Sequence, residues 1–147
     1  MNTTDKTPYT TLYDSCLTKL KSYELAALSD DEIYQIMGDY LRPAIVMYTN
    51  CKSDLSDRDD VLGCFNFALS DVEIEVLSKY MLICYLEATY INVPIAMKAS
   101  LSSKDFNAFS NANLLDKIVK VRDTYLGENK QLSGIMSYQN SELFSLR

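Results

Sequence analysis

The sequence predicts an all-α protein: an antiparallel bundle of about four principal helices with an extended C-terminal tail. Three observations predict it. Only four Gly and three Pro interrupt 147 residues. Apolar residues recur at three-four spacing through four long segments, the pattern of helices with one buried face. Three of those segments open on Ser-x-x-Glu or Ser-x-x-Asp, where the hydroxyl and the carboxylate satisfy each other's backbone N–H groups in a capping box.

Thr7-Pro8 reads as an N-cap followed by the helical position where proline is tolerated, and Leu12, Cys16, Leu17, Leu20 and Tyr23 follow in register. The first helix is expected over residues 8–27. The phrase Leu28-Ser-Asp-Asp-Glu-Ile33 then starts a second helix, expected over 30–51, with Ser29 as cap, Glu32 reaching back and Leu28 packed on Ile33. Pro43 removes one helical hydrogen bond, so a kink or a split is expected there. From Lys52 to Gly63 the periodicity fails and Asp54, Asp57, Asp59 and Asp60 gather in what reads as a solvated loop. Phe65, Phe67 and Leu69 alternate with small or polar residues, the mark of a short extended piece.

Leu69-Ser-Asp-Val-Glu-Ile74 repeats the earlier phrase at five of six positions, which reads as one helix-start chemistry used twice and not as an internal repeat. The helix it opens, expected over 71–93, is apolar on two faces: Ile74, Leu77, Met81, Cys84, Ala88 and Ile91 on one, Val76, Tyr80 and Ile83 on the other. Such a helix is buried on two sides, which makes it the expected centre of the bundle. Ser102 with Asp105 makes a third box before a helix expected over 104–126 and stopped at Gly127. Residues 1–127 are thus the expected bundle and 128–147 a tail or arm, polar at first but carrying Tyr138, Leu143, Phe144 and Leu146. The expected core is Leu20, Ile33, Ile36, Met37, Leu41, Ile74, Leu77, Met81, Cys84, Ala88, Leu115, Ile118 and Val119.

Composition excludes several function classes. A net charge of −6 and a pI near 4.6 argue against binding DNA or an anionic membrane through phosphates, which needs clustered Lys and Arg. No apolar run is clean enough for a membrane span, and the N-terminus lacks the apolar stretch of a signal peptide, so an intracellular protein with reduced thiols is expected. Cys16, Cys51, Cys64 and Cys84 are far apart and the chain has no His, which argues against a zinc site. The same lack removes the base that a Cys or Ser nucleophile would use and the Glu-x-x-His ligands of a di-iron bundle. The aspartates of 54–60 lack the Gly and the terminal Glu of an EF-hand loop. Ser102-Ser103-Lys104 has no Ser three residues before the Lys, so a Ser-Lys hydrolase is not supported. No catalytic, cofactor or metal site is expected, and the protein is expected to work by contact.

Several stretches carry a resemblance: Tyr40-Leu-Arg-Pro-Ala-Ile-Val-Met-Tyr48, Cys51-Lys-Ser-Asp-Leu55, Phe65-Asn-Phe-Ala-Leu-Ser-Asp-Val-Glu-Ile-Glu-Val-Leu77, Met81, and Lys104-Asp-Phe-Asn-Ala-Phe-Ser-Asn-Ala-Asn-Leu-Leu115. Over roughly Leu28 to Tyr125 the chain resembles small helical head-tail connector (adaptor or neck) proteins of tailed bacteriophages that infect Gram-positive hosts. It departs from that pattern at Pro43, where a helix former is expected, and at Tyr85, where an indole is common. The resemblance implies a virion structural subunit in a homo-oligomeric, twelve-fold ring below the portal, with portal and tail or neck proteins as partners and DNA passing through unheld. An acidic ring fits such passage. The expected partner-binding residues are Tyr138, Leu143, Phe144 and Leu146 of the tail, then Asp54, Asp57, Asp59 and Asp60. The alternative is a small phage or bacterial interaction or regulatory module acting as monomer or dimer.

Overall fold

The computed structural model describes residues 5–20, 25, 27–92 and 112–145, and within the last segment the side chains of 116–134. In chain order these are β1 (Thr7–Pro8), α1 (Tyr9–Lys19), α2 (Asp30–Met47), β2 (Arg58–Asp59), β3 (Cys64–Phe65), α3 (Asp71–Leu86), a π-helical turn (Glu87–Asn92) and α4 (Ala112–Ser145). The bundle is mainly helical, as predicted. The addition is a three-stranded antiparallel ladder in the order β1-β3-β2, with Thr7 opposite Phe65 and Arg58 opposite Phe65 on its other side. Each strand has two residues, so the ladder acts as a clip that ties the N-terminus and the α2–α3 connection together.

The two copies of the phrase do the same work. Ser29 Oγ accepts the Glu32 N–H while Glu32 takes the Ser29 N–H at 2.9 Å; Ser70 Oγ accepts the Glu73 N–H at 3.2 Å while Glu73 takes the Ser70 N–H at 3.1 Å. α3 is the centre, packing on α1, α2 and α4, because it is apolar on more than one face: Val76, Leu77, Met81, Leu82 and Ile83 are all fully or almost fully buried. Of the expected core, Met37, Leu41, Leu77 and Met81 are buried. Leu20, Ile33, Ile36, Ile74, Cys84, Ala88, Ile118 and Val119 are partly exposed, and the Leu115 side chain lies outside the described residues. The centre is filled instead by residues from flanking elements, notably Leu12, Cys16, Ala44 and Phe65.

Several boundaries differ from expectation. Thr7 is not a helix cap: it sits in β1, its hydroxyl accepts the Leu69 N–H at 2.8 Å, and Pro8 occupies the N-cap of α1. α1 ends at Lys19 rather than near 27, because the Leu20 N–H turns back to the Leu17 carbonyl and Leu20 itself is extended. α2 is not split at Pro43, which lies inside the helix on an exposed position, and it ends at Met47 rather than 51. α3 stops as an α-helix at Leu86 and widens into the π turn, whose five-residue spacing sets Tyr90 against Tyr85 with ring centroids 6.2 Å apart. Val93, Pro94 and the Ser102–Asp105 box lie outside the described residues.

The largest correction concerns the C-terminus. α4 does not stop at Gly127 but runs to Ser145, so residues 128–145 are helix and not an extended tail. A glycine ends a helix by adopting positive φ, and among the described residues only Gly63 does so. Gly127 is exposed, with open space where a Cβ would stand. Gly127→Ala should therefore stabilise the protein by about 0.5–1 kcal/mol. A helix-ending Gly127 would give a loss in the same chemical denaturation measurement.

Candidate functional site

The α2–α3 connection holds four of the sequence-predicted partner residues, and each carboxylate has a local structural job. Asp54 Oδ1 accepts the Ser56 N–H at 3.0 Å and the Ser56 hydroxyl, which hold its carboxyl below the usual range. Asp57 accepts from the Asn66 amide at 2.9 Å. Asp59 Oδ1 accepts the N–H groups of both Val61, at 2.9 Å, and Leu62, at 3.0 Å. Asp60 accepts from the Tyr9 hydroxyl at 2.6 Å and from Arg58 at 3.3 Å, with Arg42 at 3.9 Å. The Tyr9 bond chiefly lowers the Asp60 pKa; burial, then that same bond, raises the pKa of Tyr9.

These bonds build a firm turn. The Gly63 N–H returns to the Asp59 carbonyl at 2.8 Å, the Tyr9 N–H donates to the Gly63 carbonyl at 2.8 Å, and Gly63 takes φ +66°, where a side chain would be strained. The turn presents Val61, 95% exposed, and Leu62, 68% exposed. Beside it a groove of about 410 Å³ runs between α1 and α2, with Leu41 and Ile45, the rings of Tyr9 and Tyr13, and Arg42 among its walls. Sequence reasoning found the aspartates but not Tyr9, Arg42 or the apolar tip. The signal was an apolar Val61-Leu62 pair placed between a run of charges and Gly63.

A second cluster ties the same connection to α3. Glu73 is almost fully buried, and its carboxylate accepts from the Cys51 thiol at 3.1 Å as well as from the Ser70 N–H. Burial works against its charge, but bonds from Ser53, Cys51 and Ser70 outweigh that and hold its pKa below the normal carboxylate value. Burial, reinforced by the carboxylate, pushes the Cys51 thiol up to about 12; burial does the same to Cys16, also to about 12, and takes Cys84 to about 11. Thiols so shifted are protonated and weakly nucleophilic at neutral pH. Among the described residues no group of three or more Cys, Asp or Glu is placed to hold a metal ion.

The lowered pKa of Glu73 has a consequence for acid stability. A carboxylate whose folded pKa lies below its unfolded value, 4.5 here, adds stability that is fully present above that value. The contribution is lost as pH falls through the folded pKa. Melting temperature should therefore drop on acidification between about pH 6 and pH 3, and less steeply in Glu73→Gln than in wild type. Parallel curves would show that Glu73 is not the group responsible.

The remaining predicted residues, Tyr138, Leu143 and Phe144, lie on α4 with side chains outside the described part, and Leu146 lies outside it altogether. Among the described residues no helix is long and apolar enough to cross a membrane. Compared with protein-family models, curated proteins and solved structures, the chain matches none.

Proposed function

We propose that the chain is a non-enzymatic virion structural protein, a head-tail connector subunit that works in a homo-oligomeric ring beneath the portal of a tailed phage. The observation that carries the reading is the length of α4. At 1.5 Å per residue its 34 residues extend about 51 Å, well beyond the 16 residues of α3 and the 6 of the π turn on which it packs. A helix longer than the central segment it packs on provides reach toward a neighbouring subunit or ring. The resemblance in residues 28–125 supports the same role. So does the charge: −6 per subunit, multiplied around a ring, gives an acidic wall past which DNA moves without being held. Portal and tail or neck proteins are the partners this reading assigns.

The test is composition of the particle. Mass spectrometry of purified tailed virions from a phage carrying this gene should find the chain in stoichiometric proportion to the portal protein. Particles should lose tails when the gene is deleted. A chain absent from virions and dispensable for tail joining would defeat the reading and leave the monomeric or dimeric interaction module.

A further inference from the structure

We propose that the Val61–Leu62 tip is a self-association element that docks into the α1–α2 groove of a second copy of this chain, each copy giving its tip to the other. Three of the four large hydrophobic side chains most exposed among the described residues, Val46, Val61 and Leu62, belong to this end of the molecule. Val46 lies one helical turn beyond Arg42, and Arg42 reaches Asp60 at the base of the tip. A tip this exposed and this well anchored is preorganised. Asp59 holds both of its N–H groups and Gly63 closes it on Tyr9, so docking orders little additional backbone.

The groove fits such an occupant. Its volume of about 410 Å³ and its Leu41 and Ile45 walls suit two aliphatic side chains. Local charge matches a second copy. The chain as a whole is at −6, so two copies repel at long range, but the groove lining carries Arg42 and Arg58 against Asp39 and Asp60 and is neutral. Arg42 is 78% exposed and among the described residues its one ion pair is the 3.9 Å contact with Asp60, so it is available to the Asp59 and Asp60 carboxylates beneath an incoming tip. Because Asp60 belongs to both the tip and the groove, convex and concave parts lie at one end. Two copies facing each other across a twofold axis satisfy both contacts at once.

The pairing goes beyond the connector reading and does not depend on it, since it is tested on the purified chain alone. Native mass spectrometry and sedimentation velocity over a concentration series should show pairs or multiples of pairs for wild type. Val61→Ser combined with Leu62→Ser, and separately Arg42→Glu, replace exposed side chains, so both variants should melt with wild type at protein concentrations low enough that all are monomeric. Each should need at least about tenfold more protein to associate, the loss expected when an interface anchor is removed. Mixed in equal amounts, the two variants should recover 1:1 pairs in part, because one intact tip then meets one intact groove. A wild type that stays monomeric to about 1 mM overturns the proposal, even if the tip proves to bind some other protein. So do variants that associate like wild type, or a mixture that associates no better than its components.

Discussion

Leu77→Ala should cost about 2–5 kcal/mol of folding free energy and lower the melting temperature by roughly 10 °C. Leu77 is fully buried in α3, the helix on which α1, α2 and α4 all pack, so the lost methyl groups leave a cavity with neighbours on every side. Those neighbours are themselves fixed. α3 is pinned at its start by the Ser70–Glu73 box, by the Thr7 hydroxyl on the Leu69 N–H and by the Cys51 thiol on Glu73. It is pinned along its length by ion pairs from Lys19 to Glu75 at 2.9 Å and from Lys79 to Glu128 at 2.8 Å. A helix held from several directions cannot shift to close a void, which places the expected loss toward the upper part of the range. Thermal and urea unfolding measure it, with Val121→Ala as the internal control. At 45% exposure on the surface of α4 that change should stay within about 0.5 kcal/mol. Equal losses in the two variants would mean that Leu77 is not central.

The parts of this fold that were legible in the sequence are those governed by local chemistry. Ser29 with Glu32 and Ser70 with Glu73 specify helix starts from four residues alone, and the two-faced apolar pattern of α3 announces its central place without knowledge of what surrounds it. The misread parts depend on long-range partners. Thr7 has the right chemistry for a cap, but its hydroxyl is taken by Leu69, 62 positions away in sequence. The ladder needs Thr7, Arg58 and Phe65 in register, and no two-residue strand has a readable period. Glu73 reads as a capping residue and is one, yet its burial with Cys51 and Ser53 comes from the fold of the connection. The aspartates were legible as a cluster, while their use as turn bonds that raise an apolar tip needed Tyr9 and Gly63 to be placed beside them. In α4 the misreading was of the glycine. Leu126, Asn129, Leu132 and Ser133 continue the inward stripe at helical spacing, and Asn and Ser on that stripe disguised it as polar.

That correction reverses one expectation about the C-terminus. A segment 128–147 that served only as an arm could be removed without harm to the subunit. Ending the chain at Glu128 should instead destabilise the subunit by roughly 2–4 kcal/mol. Asn129 is fully buried, and its amide donates to the Val76 carbonyl at 3.2 Å; Ser133 is 4% exposed, and Leu132 packs on the core cluster. Truncation removes the burial of Leu132 and the Asn129 bond, and uncovers part of the α3 face around Val76. One effect opposes this. Asn129 Oδ1 and Ser133 Oγ are buried without hydrogen-bond partners among the described residues, so their removal relieves a desolvation cost. The apolar and hydrogen-bond losses are the larger, since they also free the last turns of a helix whose Glu128–Lys79 pair would then sit at a frayed end. Melting curves of the chain ended at Glu128 and of one ended at Gly134 separate the two roles. The shorter should melt roughly 10 °C below wild type, while the longer, which keeps Asn129, Leu132 and Ser133, should melt near it. If both melt with wild type, the segment from Asn129 onward is an arm after all and its contacts with α3 do not hold the subunit together.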